Sequence, residues 1–122
     1  MPSEPFAEHP QMAHLDPCAD SHDPFWPRIS LNDLRSRLGV GNEVSEAQLL
    51  VAARGAAMTA AREFAQWRHS LRERGFRRLE TLAGHAPGRA LQRCYLRSVE
   101  MATRRALLKG AERNLLQSEV RS

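Results

Sequence analysis

Ser45-Glu46-Ala47-Gln48, followed by LLVAARGAAMTAAREFAQWRHSLRERG over residues 49–75, is the stretch that decides the fold. Ser45 and Gln48 stand at capping-box spacing, so the serine side chain can serve the N3 amide while the glutamine reaches back to the cap amide. Val44 supplies the apolar residue before the cap. Leu49, Ala53, Ala56 or Ala57, Ala60, Phe64, Trp67 and Leu71 then recur every three or four residues, while Arg54, Arg62, Glu63, Gln66 and Arg72 take the other faces. This periodicity predicts one long central helix from Glu46 to Arg74, which would rise roughly 43 Å at the standard α-helical pitch. From their spacing with Ala60 and Leu71, Phe64 and Trp67 are expected to help form the core between the long helix and the third one. Gly75 stops the run, with Arg72 and Arg74 favourably placed in the last turn.

Upstream, Ser30 is an N-cap for a short helix whose apolar face is Leu31, Leu34 and Leu38, with Asp33 at N3 and glycines at 39 and 41 to end it. Downstream, Phe76 to Leu82 reads as a short turn of helix and His85 to Gly88 as a loop. A third helix begins near Ala90 and runs at least to Leu108, with a narrow apolar face of Leu91, Cys94, Tyr95, Ser98, Val99, Ala102 and Ala106. No stretch alternates apolar and polar residues as a strand does. The expected fold is all-α: a small helical bundle with one long central helix, short flanking helices and an extended N-terminal arm.

Six of the seven prolines lie in the first 27 residues, where they remove amide donors and disfavour helix at the preceding position. With five acidic groups and no Lys or Arg in that stretch, residues 1–24 read as an extended or disordered arm. Phe25-Trp26-Pro27 closes the arm with two large aromatics that must be buried somewhere. They can staple the first helix to its own domain or anchor the chain on a neighbour. The helical domain is expected over 25–116 and a frayed tail over 117–122.

Residues 28–122 hold all 18 basic residues against 9 acidic ones, and every basic residue except Lys109 is arginine. An acidic tail on a basic body suits contact with polyanions, although arginines also solvate helix surfaces. Arg68, Arg72, Arg74, Arg77 and Arg78 cluster near the end of the long helix, and Arg89, Arg93, Arg97, Arg104 and Arg105 stud the third. No helix-turn-helix or zinc-finger spacing organises them, so sequence-specific readout is not expected.

Catalysis finds no support in the residues. His9, His14, Cys18 and His22 are metal-capable, but Pro10 and Pro17 break any helix that would align them. His69 and His85 stand alone, and Cys94 is read as a small hydrophobe on a helix face. Gly39 and Gly41 lack the Lys-Ser/Thr pair of a phosphate loop. No catalytic residue, no metal and no cofactor is expected. The two cysteines and the lack of an apolar leader point to a reducing compartment, and no apolar run approaches a membrane span.

The order of the landmarks is more specific than any one of them. Phe25-Trp26-Pro27-Arg28-Ile29-Ser30 leads into a short helix with Arg35, then a glycine, Val44, and a helix ending Arg62-Glu63-Phe64-Ala65-Gln66-Trp67-Arg68. Gly75-Phe76-Arg77-Arg78-Leu79 follows, and Tyr95-Leu96-Arg97-Ser98-Val99 through Leu107-Leu108 lies in the third helix. Over about residues 25–109 this series resembles the head completion (head-stabilisation, head–tail connector) protein family of peduovirus-like, contractile-tailed phages. The resemblance implies a non-enzymatic adaptor, arranged as a ring of about twelve copies under the portal after DNA packaging. Its implied partners are the portal protein, a tail terminator or neck protein, neighbouring copies of itself, and double-stranded DNA touched non-specifically. Its implied place is the neck of the virion, reached from the host cytoplasm during assembly, with no membrane stage. In such a ring Phe25, Trp26 and Pro27 are the candidate anchor, and Arg68, Arg72, Arg77, Arg93, Arg97 and Arg104 are candidates for facing DNA or neighbouring subunits. Family members continue beyond the third helix whereas this sequence stops at Ser122, so portal docking is expected to use other residues or a shortened form. The alternative reading is a basic helical nucleic-acid-binding or regulatory protein of a prophage.

Overall fold

The computed structural model describes residues 17–82, 84 and 86–121, so the expectations for residues 1–16 lie outside the described residues. Among the described residues two short strands and five helices follow in order: β1 (Cys18–Ala19), β2 (Ile29–Ser30), α1 (Leu31–Leu38), α2 (Glu46–Glu63), α3 (Ala65–Glu73), α4 (Leu79–Leu82) and α5 (Ala86–Arg121). The molecule is mostly helical, as the periodicities require. The strands pair antiparallel, Cys18 opposite Ser30 and Ala19 opposite Ile29. Two residues are too few to leave an alternating pattern, which is why the sequence did not announce them. The pairing makes residues 17–24, grouped by composition with the arm, part of the folded body: Ala19 is buried, and the Pro17 carbonyl accepts the Leu31 amide at 2.9 Å.

Ser30 ends β2 and caps α1, its Oγ accepting the Asp33 amide at 3.2 Å. Gly39 closes α1 with φ at 68°, the left-handed conformation that favours glycine, and its amide reaches the Arg35 carbonyl. The Arg35 guanidinium then donates to the Gly41 and Val44 carbonyls at 2.7 and 2.8 Å. One side chain thereby fixes the α1–α2 turn. The capping box at Ser45 and Gln48 is formed on both sides.

The expected single helix over 46–74 is divided at Phe64, whose φ of −104° and ψ of 23° leave the α-helical region. Hydrogen bonds continue across the break, Phe64 to Ala60 and Arg68 to Phe64, but the helix face turns. Phe64 points towards Trp26, with ring centroids 6.2 Å apart. Beyond it, Trp67 is 60% exposed and α3 buries no residue fully, so the expected place of Trp67 in the core is corrected. At Gly75, φ is 96°. The Phe76 amide reaches back to the Leu71 carbonyl and the Gly75 amide to that of Arg72, a Schellman closure.

The longest helix is the last rather than the central one. It starts at Ala86, within the segment read as a loop, because Pro87 is tolerated in a first helical turn. It passes through Gly110 and extends to Arg121. Gly88 is needed there for close approach: a Cβ at this position would collide with the Leu82 carbonyl, which holds α4 against the start of α5.

Most of the core lies between α2 and α5. Leu49, Ala53, Ala56, Ala57 and Ala60 of α2 face Leu91, Tyr95 and Val99 of α5, and all are buried. Alanines bring the helix axes close but bury little area each. Beside Leu49, Leu91, Tyr95 and Val99, the other large side chains come from elsewhere, namely Phe25, Trp26 and Ile29 from the loop and β2, Leu31, Leu34 and Leu38 from α1, and Leu79 from α4.

Candidate functional site

The first candidate feature is the aromatic plug at residues 25–27. Asp23 builds it: its Oδ1 accepts the Phe25 amide at 3.0 Å and its carbonyl accepts the Trp26 amide at 3.2 Å. Arg68 pins the same aspartate from α3, with Nε 3.1 Å from Oδ2. The Phe25 carbonyl accepts the Leu79 amide at 2.9 Å. So held, the Trp26 ring stacks on Tyr95 at 4.5 Å and 6°, and Phe25 meets Trp26 edge-on at 4.9 Å. Phe25, Trp26 and Pro27 are all buried within their own chain. The Trp26 Nε1 is buried with no hydrogen-bond partner among the described residues, and the Tyr95 hydroxyl is buried close to Ser21. Burial, with the carboxylates of Asp20 and Asp23 adding to it and the Ser21 hydroxyl opposing, pushes the Tyr95 pKa up to about 12.

The second feature is the outer face of α5. Arg93, Arg97 and Arg104 follow the exposed stripe behind the buried Leu91, Tyr95, Val99 and Thr103. They share an open depression with Leu96, Met101 and the pair formed by Arg37 and Glu100, whose closest atoms are 3.3 Å apart. The structure thus gathers three of the six candidate arginines. Arg72 and Arg77 are exposed in α3 and in the turn after it, away from this depression, and Arg68 is engaged with Asp23.

The third feature was not legible beforehand. Met101, Leu108, Leu115 and Leu116 are exposed on α5, and Trp67 is exposed on α3 beside a groove formed with Leu71, Phe76, Leu82 and Leu91. Large apolar side chains left in water mark contact surfaces more often than chemistry. Only the polar neighbours of Met101 and Leu108 hinted at this.

Among the described residues no three His, Cys, Asp or Glu side chains are placed to hold a metal ion. Cys94 is exposed rather than on the buried face, His69 pairs with Glu73 one turn away at 3.3 Å, and Glu63 accepts from the Ser98 hydroxyl at 2.7 Å. No helix among the described residues is long and apolar enough to cross a membrane.

The family model of the phage head completion protein (GPL) matches residues 21–116. The chain belongs to the phage head completion protein family. The match begins inside the loop that carries the plug and runs to the exposed leucines near the end of α5, so it takes in all three features. Head completion is a structural role in the virion rather than a catalytic one, and it entails contact with head or portal and tail components. No curated protein and no solved structure matches the chain significantly.

Proposed function

We propose that this head completion protein is a non-enzymatic adaptor that docks under the portal once DNA is packaged, helps retain the genome and offers the surface on which the tail attaches. It acts as a ring of about twelve copies, a closed assembly of identical contacts. The observation that carries the reading beyond the family match is the division of α5. One face is sealed into the core, while the other presents Arg93, Arg97 and Arg104 together with bare apolar side chains. Such a helix is supported from behind and left open for macromolecular partners. The arginines suit loose contact with a phosphate backbone, and the apolar groups suit protein neighbours.

The test is made on filled heads produced without the chain. Adding the purified protein should stop DNA loss and allow tails to join, giving infectious particles. Heads that keep their DNA and accept tails equally well without it would overturn the adaptor reading.

A further inference from the structure

We infer that the end of α5 of one copy seats in the Trp67 groove of the next, so that the subunits join head to tail. The groove is lined by Trp67, Leu71, Phe76, Leu82 and Leu91, with Arg74 at its edge, and its cavity measures about 200 Å³. An apolar cavity of roughly 150 Å³ already holds a benzene ring, so this one has room for a leucine side chain. Its most prominent wall, Trp67, is left 60% exposed by its own chain. A matching projection lies on the same molecule. Beyond Asn114, where α5 still borders a groove with the start of α2, the helix presents Leu115 and Leu116 at 65% and 62% exposure.

The two features cannot satisfy each other within one chain. Leu91 in the groove and Leu115 at the projection are on the same helix, and the rise between them is roughly 36 Å. A rigid helix keeps them apart, so the occupant has to come from another molecule. A second copy also offers a local charge pair at the joint: Glu112, exposed between Lys109 and Arg113 one turn before the leucines, is opposite in sign to Arg74 at the groove. A contact between unlike surfaces of identical chains is heterologous, and such contacts close into rings when the rotation between copies allows it. The inference rests on the ring-adaptor reading and supplies the contact that the ring lacks.

Two full-length variants test it. Leu115→Lys/Leu116→Lys removes the projection and Trp67→Glu removes the groove wall; both act on exposed side chains, and circular dichroism verifies that each is folded. In sedimentation, the unaltered chain should self-associate with rising concentration. Each variant alone should self-associate roughly thirtyfold more weakly or not at all, the loss expected of an interface anchor. Mixed together they retain one intact projection and one intact groove, and should form a one-to-one heterodimer that grows no further. A mixture that stays monomeric, a variant that assembles like the unaltered chain, or an unaltered chain that remains monomeric at all concentrations overturns the contact. Should either variant lose helicity, Leu116→Asn and Trp67→Gln replace them with the same outcomes. Heads lacking the protein separate the two proposals. If the variants complete heads as well as the unaltered chain does, the contact fails and the adaptor reading stands; if the unaltered chain itself has no effect, the adaptor reading fails.

Discussion

Two tryptophans near the same helix break have opposite roles. Trp26 is 2% exposed and sandwiched between Phe25 and Tyr95, whereas Trp67 stands in solvent. Trp26→Ala should therefore cost roughly 3–5 kcal/mol, as truncation of a buried aromatic does. Trp67→Ala should change stability by no more than about 0.5 kcal/mol. Thermal melts of the two proteins check the contrast, and equal losses would show that the α3 face is buried after all. Tyr95, the only tyrosine in the chain, gives a second measurement. Its pKa in the folded protein is raised to about 12 from 10.0. The neutral phenol is thus favoured by folding, and its contribution is fully present below pH 10.0. Above that, the unfolded chain ionises first, and stability should fall by about 1.4 kcal/mol per pH unit until the folded tyrosine ionises too. Phenolate absorbance followed beside helicity should show ionisation delayed until close to unfolding. A titration midpoint near 10 with the helices intact would place the hydroxyl in water.

At the scale of elements, what could be read in advance was what is determined locally. The Ser30 and Ser45 caps, the Leu31-Leu34-Leu38 face and the stop at Gly75 all depend on neighbours within a turn or two, and all appear in the structure. The break at Phe64 depends on a ring nearly forty positions earlier in the chain, and sequence periodicity carries no such information. Once the helix turns there, every later position of its 3.6-residue pattern points elsewhere, which places Trp67 in solvent; Cys94, on α5, lies beside the narrow buried line of Leu91, Tyr95, Val99 and Thr103 rather than on it. The start of α5 was missed for a related reason: Pro87 and Gly88 read as loop residues until Gly88 is seen against the Leu82 carbonyl. Gly88→Ala should accordingly destabilise the protein, by about 1–3 kcal/mol for forced overpacking, even though alanine is the better helix former. Chemical denaturation checks this, and a variant more stable than the parent would mean that α4 can move aside without penalty. As for the candidate site, the arginine stripe on α5 was legible from its spacing. The exposed leucines and the groove were not, since exposure is a property of the packed molecule.

Among the described residues the acidic N-terminal stretch meets the basic body at the Asp23–Arg68 pair. Most arginines therefore remain available to solvent or to a partner. Duplex DNA should bind weakly and without sequence preference, and binding should vanish near physiological salt. Replacing Arg93, Arg97 and Arg104 with alanine should flatten the salt dependence by roughly 0.9 in log–log slope for each arginine that faces a phosphate. Fluorescence anisotropy over a salt series measures both effects. A footprint on one sequence that persists at physiological salt would instead favour a regulatory nucleic-acid-binding protein. The loop of residues 20–28 carries a further consequence, one for synthesis. It is among the first folded parts of the chain to be translated, yet its backbone bonds to Leu79 and its indole stacks on Tyr95. These contacts reach α4 and the last helix itself, and long-range closures are the slow, entropically costly ones. A nascent chain released before Tyr95 would hold its caps and short helices but leave both aromatics bare. Premature termination anywhere in α2 to α4 should therefore yield sticky fragments rather than smaller soluble domains, so the protein matures all at once or not at all.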